Sequence, residues 1–298
     1  MLIADNFATF VNMIYADPHS YSGMTIFAAM IIFVVELYCD FSGYADIAIG
    51  SAKVLGFNLT ENFNYPFSAT SVTDFWRRWH ISLSSWIRDY VFTPLAYRWR
   101  ALSKIGVVCA LIFSFALIGL WHGASWNFIL FGLLQGIFVS LEFLTSRIRH
   151  TWSINVPIWI SEYFGKIYVF IFWAFSLSFF RAVRFGDAIY IVNNAFAGII
   201  DFIHISFTSL FVFSIQPILP TLRIMHSATT NNGHGYFVLF FFLMSLFIFL
   251  EWVDTKEGLI SAINKAPTFV RWVICLSLVL GITNFGATLE IPFIYFQF

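Results

Sequence analysis

Charged residues are scarce in this chain of 298 residues. Asp, Glu, Lys and Arg together make up 11% of it, whereas 59% of the residues are hydrophobic. A soluble domain carries about a quarter charged residues, so this composition excludes an ordinary soluble globular protein. The mean hydropathy of +0.80 and the 39 phenylalanines predict an all-α, polytopic transmembrane protein.

Cysteine is scarce too. Cys39, Cys109 and Cys275 lie in or beside apolar runs, at spacings typical of neither a disulfide framework nor a metal site. No cluster of histidine, cysteine and carboxylate residues has ligand spacing, so we expect no metal and no tightly bound cofactor. The formal net charge is zero, which gives no overall attraction to nucleic acid. The chain lacks a signal-peptide pattern and an internal repeat, and we expect residues 1–298 to form one transmembrane domain.

Several apolar runs approach the length of about 20 residues that a membrane-crossing helix needs. The predicted spans are Thr25–Cys39 (with a continuation Tyr44–Phe57 beyond a helix break at Ser42-Gly43-Tyr44), Ile105–Trp121, Trp126–Thr145, Tyr163–Phe180, Ile203–Leu219, Tyr236–Trp252 and Phe269–Phe285. Because several are short, we expect some segments to be re-entrant or strongly tilted. Residues Arg223–Gly235 form the clearest predicted polar loop.

Basic residues are unevenly distributed, and this sets a predicted orientation. They cluster between Arg77 and Lys104, which the positive-inside rule assigns to the cytoplasmic side. Arg147 and Arg149 place the chain on that side again. Ile105–Trp121 would then enter the bilayer and Trp126–Thr145 would return, so the turn between them lies deep in the membrane or near its far face.

Residues Asp74–Val91 predict an amphipathic helix at the membrane interface. At about 100° per residue, the apolar side chains of this segment share one sector, and the basic and polar ones lie mostly opposite. Tryptophan and arginine on such a helix are typical of a membrane-surface element. His80 falls in the apolar sector, so we expect its imidazole to point into the protein or the lipid.

His122 and His80 are the candidate catalytic residues. His122 lies in the turn between two apolar runs, and an imidazole near lipid is costly unless it is used. A neutral imidazole is a general base at physiological pH, and desolvation favours that form. Acyl transfer needs such a base for the incoming hydroxyl, and this interpretation requires the two histidines to converge in space. The bland alternatives are helix packing for His122 and anchoring of an interfacial helix for His80.

Polar neighbours of the two histidines complete the candidate site. Acyl transfer also needs donors that stabilise an oxyanion, and near His122 these are the indoles of Trp121 and Trp126 together with Ser125 and Asn127. A second set, Asp74, Arg77 and Arg88 with their neighbours Arg78 and Asp89, would bind the anionic head group of an acyl donor. These arginines equally suit a simple marker of the cytoplasmic interface.

Several motifs resemble those of the membrane-bound O-acyltransferase (MBOAT) family, in its bacterial alginate O-acetyltransferase-like branch. They are Tyr38-Cys39-Asp40-Phe41-Ser42-Gly43-Tyr44-Ala45-Asp46-Ile47-Ala48, Phe63-Asn64-Tyr65-Pro66-Phe67, the run from Asp74 to Tyr90, Gly119-Leu120-Trp121-His122-Gly123, Trp173-Ala174-Phe175, Phe179-Phe180-Arg181-Ala182 and Pro292-Phe293-Ile294-Tyr295-Phe296-Gln297-Phe298. These motifs are long and the likeness runs nearly end to end.

The resemblance implies roles that the residues alone do not give. His122 would match the family's catalytic histidine and His80 its second functional histidine, in a many-helix fold around a membrane tunnel. It implies an acyl thioester donor (acetyl-CoA or an acyl carrier protein), a polysaccharide acceptor, a periplasmic or extracellular partner of the SGNH-hydrolase type, and a bacterial inner-membrane location. Members of this branch have further apolar helices before the equivalent of Leu2, so the chain would correspond to a C-terminal portion.

Two other classes of function fit the same composition. A transporter or flippase for a glycan or lipid would also carry polar residues in broken helices, and it would need no base at His122. A non-catalytic membrane scaffold for polysaccharide synthesis would tolerate replacement of both histidines. Within the acyltransferase interpretation, the residues leave open whether His122 attacks as a nucleophile or only moves a proton.

Overall fold

A computed structural model of the chain describes residues 2–153, 156–212, 219–230 and 237–285. Within these ranges the regular elements are helices, and the one pairing outside them is an isolated bridge between Phe63 and Trp79. The helices are α1 (Ala4–Ala16), α2 (Gly23–Val54), α3 (Val72–Arg78), α4 (Ile81–Ile87), α5 (Thr93–Arg98), α6 (Lys104–His122), α7 (Trp126–Leu144), α8 (Ser146–Ser153), α9 (Ile158–Arg181), α10 (Phe185–Val212), α11 (Leu219–Thr230), α12 (Phe237–Glu257), α13 (Leu259–Lys265) and α14 (Thr268–Phe285). The predicted all-α architecture is confirmed.

Four helices of the described ranges, α2, α6, α7 and α9, are long and apolar enough to cross a membrane, and the chain is a multi-pass membrane protein. The predicted break in α2 is wrong, because this helix runs unbroken through Ser42-Gly43-Tyr44. A single interior glycine costs a helix only about 1 kcal/mol. The other residues of α2 favour helix strongly enough to offset that cost.

The predictions for the later helices are correct in part. The predicted polar loop Arg223–Gly235 is wrong over its first residues, because α11 continues to Thr230. Pro220 sits in the first turn of α11, where its missing N–H is not needed, and the next strong helix breaker is Gly233. Helix α10 begins well before the predicted span Ile203–Leu219. Residues 213–218, 231–236 and 286–298, and with them the C-terminal motif, lie outside the described residues.

The chain divides into two compact units. The first comprises residues 1–41 and 190–297, and its core is formed by buried aromatic and aliphatic side chains of α1 and α2, among them Phe7, Phe10 and Phe33. Within this unit α2 crosses α10 so closely that a Cβ on Gly23 would lie 2.5 Å from a backbone oxygen of α10. The hydroxyls of Thr25 on α2 and of the first turn of α11 form a buried hydrogen bond of 3.1 Å.

The second unit, residues 42–189, is built on an antiparallel hairpin of α6 and α7. The two helices meet backbone to backbone, because a Cβ on Gly119 would lie 2.1 Å from the carbonyl oxygen of Phe128, and one on Gly132 would lie 2.2 Å from that of Phe115. Only glycine permits this approach. The hairpin therefore has one end at Lys104 and Leu144, and its turn carries His122.

The predicted single helix Asp74–Val91 is wrong. Helix α3 ends at Arg78, and His80 adopts a left-handed conformation with φ of 44° before α4 begins. The break arises because an earlier segment captures the backbone groups: Asn64 donates its N–H to the carbonyl of Arg78 at 3.0 Å, and Ile81 donates its N–H to the carbonyl of Asn62 at 3.0 Å. These bonds compete with the helical pattern.

Helices α3 and α4 consequently form a second, shorter hairpin that runs beside the first. The N-terminal end of α3 is bound by Glu142, near the Lys104–Leu144 end of the larger hairpin. Halfway along, Trp76 contacts Phe115 of α6, and at its tip His80 contacts Trp121. Helix α3 therefore follows the membrane-crossing helices α6 and α7 from their charged end towards their turn.

Candidate active site

The two candidate histidines occupy the tips of the two hairpins, and both contact Trp121. The ring centroids of His80 and Trp121 are 5.9 Å apart, and those of Trp121 and His122 are 4.9 Å apart, each in an edge-to-face arrangement. Residues separated by about forty positions are therefore brought to one place by the packing of α3–α4 against α6–α7. This is the convergence that acyl-transfer chemistry requires.

His80 is half-buried and held by polar groups at its tip. Its Nδ1 lies 3.4 Å from Oδ1 of Asn62 and 3.4 Å from Oγ of Ser82, and Ser82 Oγ donates to the same Asn62 oxygen at 2.6 Å. An amide oxygen only accepts, so a bond from Nδ1 to Asn62 leaves the imidazole lone pair on Nε2. Burial lowers the pKa of His80 to about 4, which keeps this imidazole neutral near pH 7.

His122 is the last residue of α6 and is surrounded by aromatic rings. Its ring centroid lies 5.0 Å from that of Phe180, 6.3 Å from that of Phe131 and 6.4 Å from that of Phe128. These rings come from α7 and α9, so three helices fix the orientation of one imidazole. An apolar wall of this kind excludes water from one side of the ring while Trp121 occupies another.

A cavity of about 580 Å³ lies between the two hairpins. Its charged lining residues include Arg77, Arg88 and Arg149, whereas its body is formed by apolar side chains of α3, α4, α6 and α7. The lining reaches Ile81, which follows His80 directly, and Ile118, which lies one helical turn before His122. The cavity thus has three arginines and Glu142 in its lining, and it reaches residues near both histidines, although neither imidazole lines it.

The predicted oxyanion donors differ in their exposure and in their hydrogen bonds. Trp121 lies between the two histidines with 56% of its surface exposed. Ser125 is exposed at the N-cap of α7, and Trp126 is 78% exposed. Asn127 is buried and donates a hydrogen bond of 2.7 Å from Nδ2 to the carbonyl of Ala182. This bond ties α7 to the end of α9, so the geometry gives Asn127 a structural task.

The predicted anion-binding residues also separate. Arg77 and Arg88 both line the cavity. Arg88 is exposed and forms a 2.8 Å ion pair with Asp89, and this pairing raises the pKa of Arg88 and lowers that of Asp89. Asp74 does not share this position; it forms a 2.9 Å ion pair with Arg78 within α3.

Sequence reasoning missed four residues that the structure brings to the site. Asn62 holds the tip of the α3–α4 hairpin, and Arg149 joins the cationic lining. Ser114 lines the cavity with a buried hydroxyl that has no hydrogen-bond partner in the structure. Glu142 accepts hydrogen bonds from the first turn of α3. A buried carboxylate next to a basic segment was the available signal for Glu142, because such a group must be paired.

The arrangement is that of a polytopic membrane protein with a histidine pair near a cavity that is lined by apolar and arginine side chains. The model of the membrane-bound O-acyltransferase (MBOAT) family matches residues 1–185 of this chain. The chain belongs to that family, as its motifs predicted.

Curated relatives carry names from the same chemistry. A peptidoglycan O-acetyltransferase of Helicobacter pylori is 29% identical over the whole of this chain and 54% of its own length. A probable alginate O-acetylase of Azotobacter vinelandii is 40% identical over 48% of this chain and 28% of its own length. A teichoic acid D-alanyltransferase of Bacillus subtilis is 38% identical over 35% of this chain and 28% of its own length. The chain spans about half the length, or less, of these relatives.

Proposed function

We propose that this protein is a membrane-bound O-acyltransferase that passes an acetyl group from a cytoplasmic thioester to an acceptor for O-acetylation of a cell-envelope polysaccharide. The observation that carries the proposal is the meeting of His80 and His122 around Trp121, near a cavity whose lining includes Ile81 and Ile118. Family membership and the names of the relatives support the same reaction class.

The cavity suits the acyl donor. Acetyl-CoA and the prosthetic arm of an acyl carrier protein share anionic phosphate and a slender chain that ends in a thioester. Arg77, Arg88 and Arg149 would bind the phosphate, since guanidinium groups match phosphate geometry. The slender chain of the donor would follow the apolar lining of the cavity towards Ile81 and Ile118 and present its thioester to the histidines.

The chemistry follows from two neutral imidazoles in a partly desolvated place. His122 accepts the proton of an acceptor hydroxyl as the hydroxyl oxygen bonds to the thioester carbonyl carbon. The carbon–sulfur bond then breaks, and the thiol leaves with that proton. His80, with its lone pair on Nε2, would accept a hydrogen bond from a second donor group of the acceptor and so orient it, since the hydroxyl proton itself goes to His122. The indole N–H of Trp121 would stabilise the oxyanion that forms in between.

The cellular setting belongs to the same proposal. We infer a bacterial inner-membrane location with the cavity mouth at the cytoplasm, because the cationic segment follows the positive-inside rule. An exported partner of the SGNH-hydrolase type would then place the acetyl group on the polysaccharide, so that this protein performs the transmembrane half of the modification.

The test is acyl transfer in membranes that contain the protein. A thioester donor with labelled acetyl is supplied on the cytoplasmic side, and label in envelope polysaccharide is counted for wild type and for His122→Gln. The matched control is His19→Gln, since His19 lies in the other unit against Tyr190. We expect His122→Gln to lose label at normal protein level, by about 10²- to 10⁴-fold for loss of a general base, and His19→Gln to retain it.

Each alternative has its own result. Unchanged label in His122→Gln contradicts the catalytic role and favours a transporter. Unchanged label in both His80→Asn and His122→Gln, with partner binding intact, favours a scaffold. Equal losses in His122→Gln and the His19→Gln control would mean that the loss is not specific to the histidine pair.

A further inference from the structure

A chain of buried hydrogen bonds crosses the second unit from α3 to α9 through the middle of α7. The indole N–H of Trp76 donates to Oε1 of Gln135 at 3.1 Å. Nε2 of Gln135 donates to Oγ of Ser176 at 2.8 Å, and Oγ of Ser176 donates to the carbonyl of Trp173 at 2.9 Å. Gln135 therefore connects α3 with the two membrane-crossing helices α7 and α9.

Burial of the polar Gln135 side chain at this position costs free energy. Its side chain is fully buried near the middle of α7, a membrane-crossing helix. An amide in such a place costs several kcal/mol unless its groups are bonded. Both ends of this amide are bonded, to partners on different helices, so the hydrogen bonds fix a single mutual position of α3, α7 and α9.

Aromatic contacts link the hydrogen-bonded residues to both histidines. Trp173 contacts Trp76 at 5.6 Å and Trp79 at 5.2 Å between ring centroids, and Trp79 directly precedes His80. On the other side Trp173 contacts Phe131 at 5.8 Å, and Phe131 contacts His122. The hydrogen-bonded chain thus lies midway along the two hairpins and contacts aromatic side chains that support each tip.

We propose that Gln135 is a positioning residue that sets the separation of His80 and His122 by joining Trp76 to Ser176. It does not contact the reacting atoms itself. This inference rests on the proposed function for its kinetic consequence, but its geometric consequence is independent of any activity.

The kinetic test compares two serines of α9. Ser176→Ala removes the hydroxyl that Gln135 uses, whereas Ser178→Ala removes a hydroxyl that is equally buried but bonds only within its own helix, to the carbonyl of Ala174. We expect Ser176→Ala to lower kcat at least tenfold with the donor KM unchanged, and Gln135→Leu to lower it about 10²-fold, the cost of displacing a catalytic group by about 1 Å. Ser176→Thr, which restores the hydroxyl, should recover most of the rate, and Ser178→Ala should match wild type.

The second test does not depend on catalysis. Diethyl pyrocarbonate acylates accessible imidazoles, and peptide mass spectrometry reports the rate at each histidine. We expect Ser176→Ala and Gln135→Leu to raise the modification rates of His80 and His122 severalfold, without a change at His19. Trp76→Phe, which keeps the ring but removes the N–H, should do the same at His80.

The outcomes separate the two hypotheses. If wild type transfers no acyl group but the modification rates respond as expected, the positioning role stands and the acyltransferase proposal fails. Equal kcat in Ser176→Ala, Ser178→Ala and wild type, with unchanged modification rates, overturns the positioning role. A fall in thermal stability without a change in kcat or in modification rates also overturns it, because the chain would then serve folding alone.

Discussion

Replacement of Gly119 by alanine is the sharpest single test of how the α6–α7 hairpin holds the site. Gly119 lies three residues before His122 on α6, which is about 4.5 Å along the helix axis. A Cβ at this position would lie 2.1 Å from the carbonyl oxygen of Phe128, whereas ordinary contacts begin at 3.4 Å. The difference, 3.4 − 2.1, requires the helices to separate by about 1.3 Å at this point.

That separation occurs beside the imidazole of His122, for which we propose a catalytic role. A displacement of about 1 Å costs an enzyme about 10²-fold in rate, and overpacking a tight interface destabilises by roughly 1–3 kcal/mol. We therefore expect Gly119→Ala to lower kcat for acyl transfer about 10²-fold and to lower the unfolding temperature moderately. Gly132→Ala, which places a Cβ 2.2 Å from the carbonyl of Phe115, should act in the same direction from the other helix.

The assay is labelled-acetyl transfer in membranes, with protein level and thermal unfolding measured in parallel. Gly50→Ala is the matched control, because Gly50 lies inside α2 with nothing within 4 Å of its Cβ position. This variant should keep full activity and gain about 0.5–1 kcal/mol of stability from the helix propensity of alanine. Full kcat in Gly119→Ala would refute the reasoning, since the close approach of the two backbones would then be irrelevant to His122.

Four further predictions concern single residues and their contacts. Asn127→Ala removes the hydrogen bond to the buried carbonyl of Ala182 and should lower the free energy of unfolding by about 1–3 kcal/mol, measured by thermal unfolding. Asn127→Asp should also be less stable than wild type, because its carboxylate repels that carbonyl oxygen. Glu142→Gln replaces one of the two carboxylate oxygens that accept hydrogen bonds from the start of α3 by an NH2 group, which is a donor. The unfolding temperature and kcat should therefore fall together, and an unchanged unfolding temperature would contradict this. The pKa of His80 is lowered from its ordinary value of 6.5, which applies to the unfolded chain, to about 4 in the folded protein. Between these pH values the unfolded chain binds a proton that the folded protein does not bind. The free energy of unfolding should therefore fall as the pH drops from about 6.5 to about 4. Asn62→Asp, with a carboxylate 3.4 Å from Nδ1, should raise that pKa and move the acid limb of the rate profile to higher pH, whereas an unmoved limb would exclude His80 as the titrating group.

The sequence predicted the membrane-crossing helices of the second unit well, because length and apolarity determine them locally. Ile105–Trp121 and Trp126–Thr145 correspond to α6 and α7 within a few residues. The two histidines were also identifiable, since an imidazole between apolar runs is chemically conspicuous. Their meeting around Trp121 was a requirement of the hypothesis, and the structure supplies it.

The interruption between α3 and α4 could not be predicted from helical periodicity. The apolar side chains of Asp74–Val91 share a sector, which is what a continuous amphipathic helix shows. The competing hydrogen bonds come from Asn62 and Asn64, residues outside the segment, and a local pattern contains no information about them. The prediction therefore placed His80 on the face of a helix, whereas the structure places it at the tip of a hairpin.

Long-range polar partners were missed for the same reason. Glu142 is separated from the first turn of α3 by about seventy positions, and Gln135 from Trp76 by fifty-nine. Sequence alone indicates that a buried carboxylate or amide needs a partner, but the choice among the available donors is made by tertiary packing.

The left-handed backbone at His80 limits which residues this position can accept over evolution. At φ of 44°, β-branched and bulky side chains are strongly disfavoured, whereas glycine, asparagine, aspartate and histidine are tolerated. A drifting gene can therefore exchange the imidazole for a small amide or carboxylate without disturbing the hairpin tip, but not for valine or isoleucine. Natural variants at this position should accordingly be mostly glycine, asparagine or aspartate, and β-branched residues should be rare.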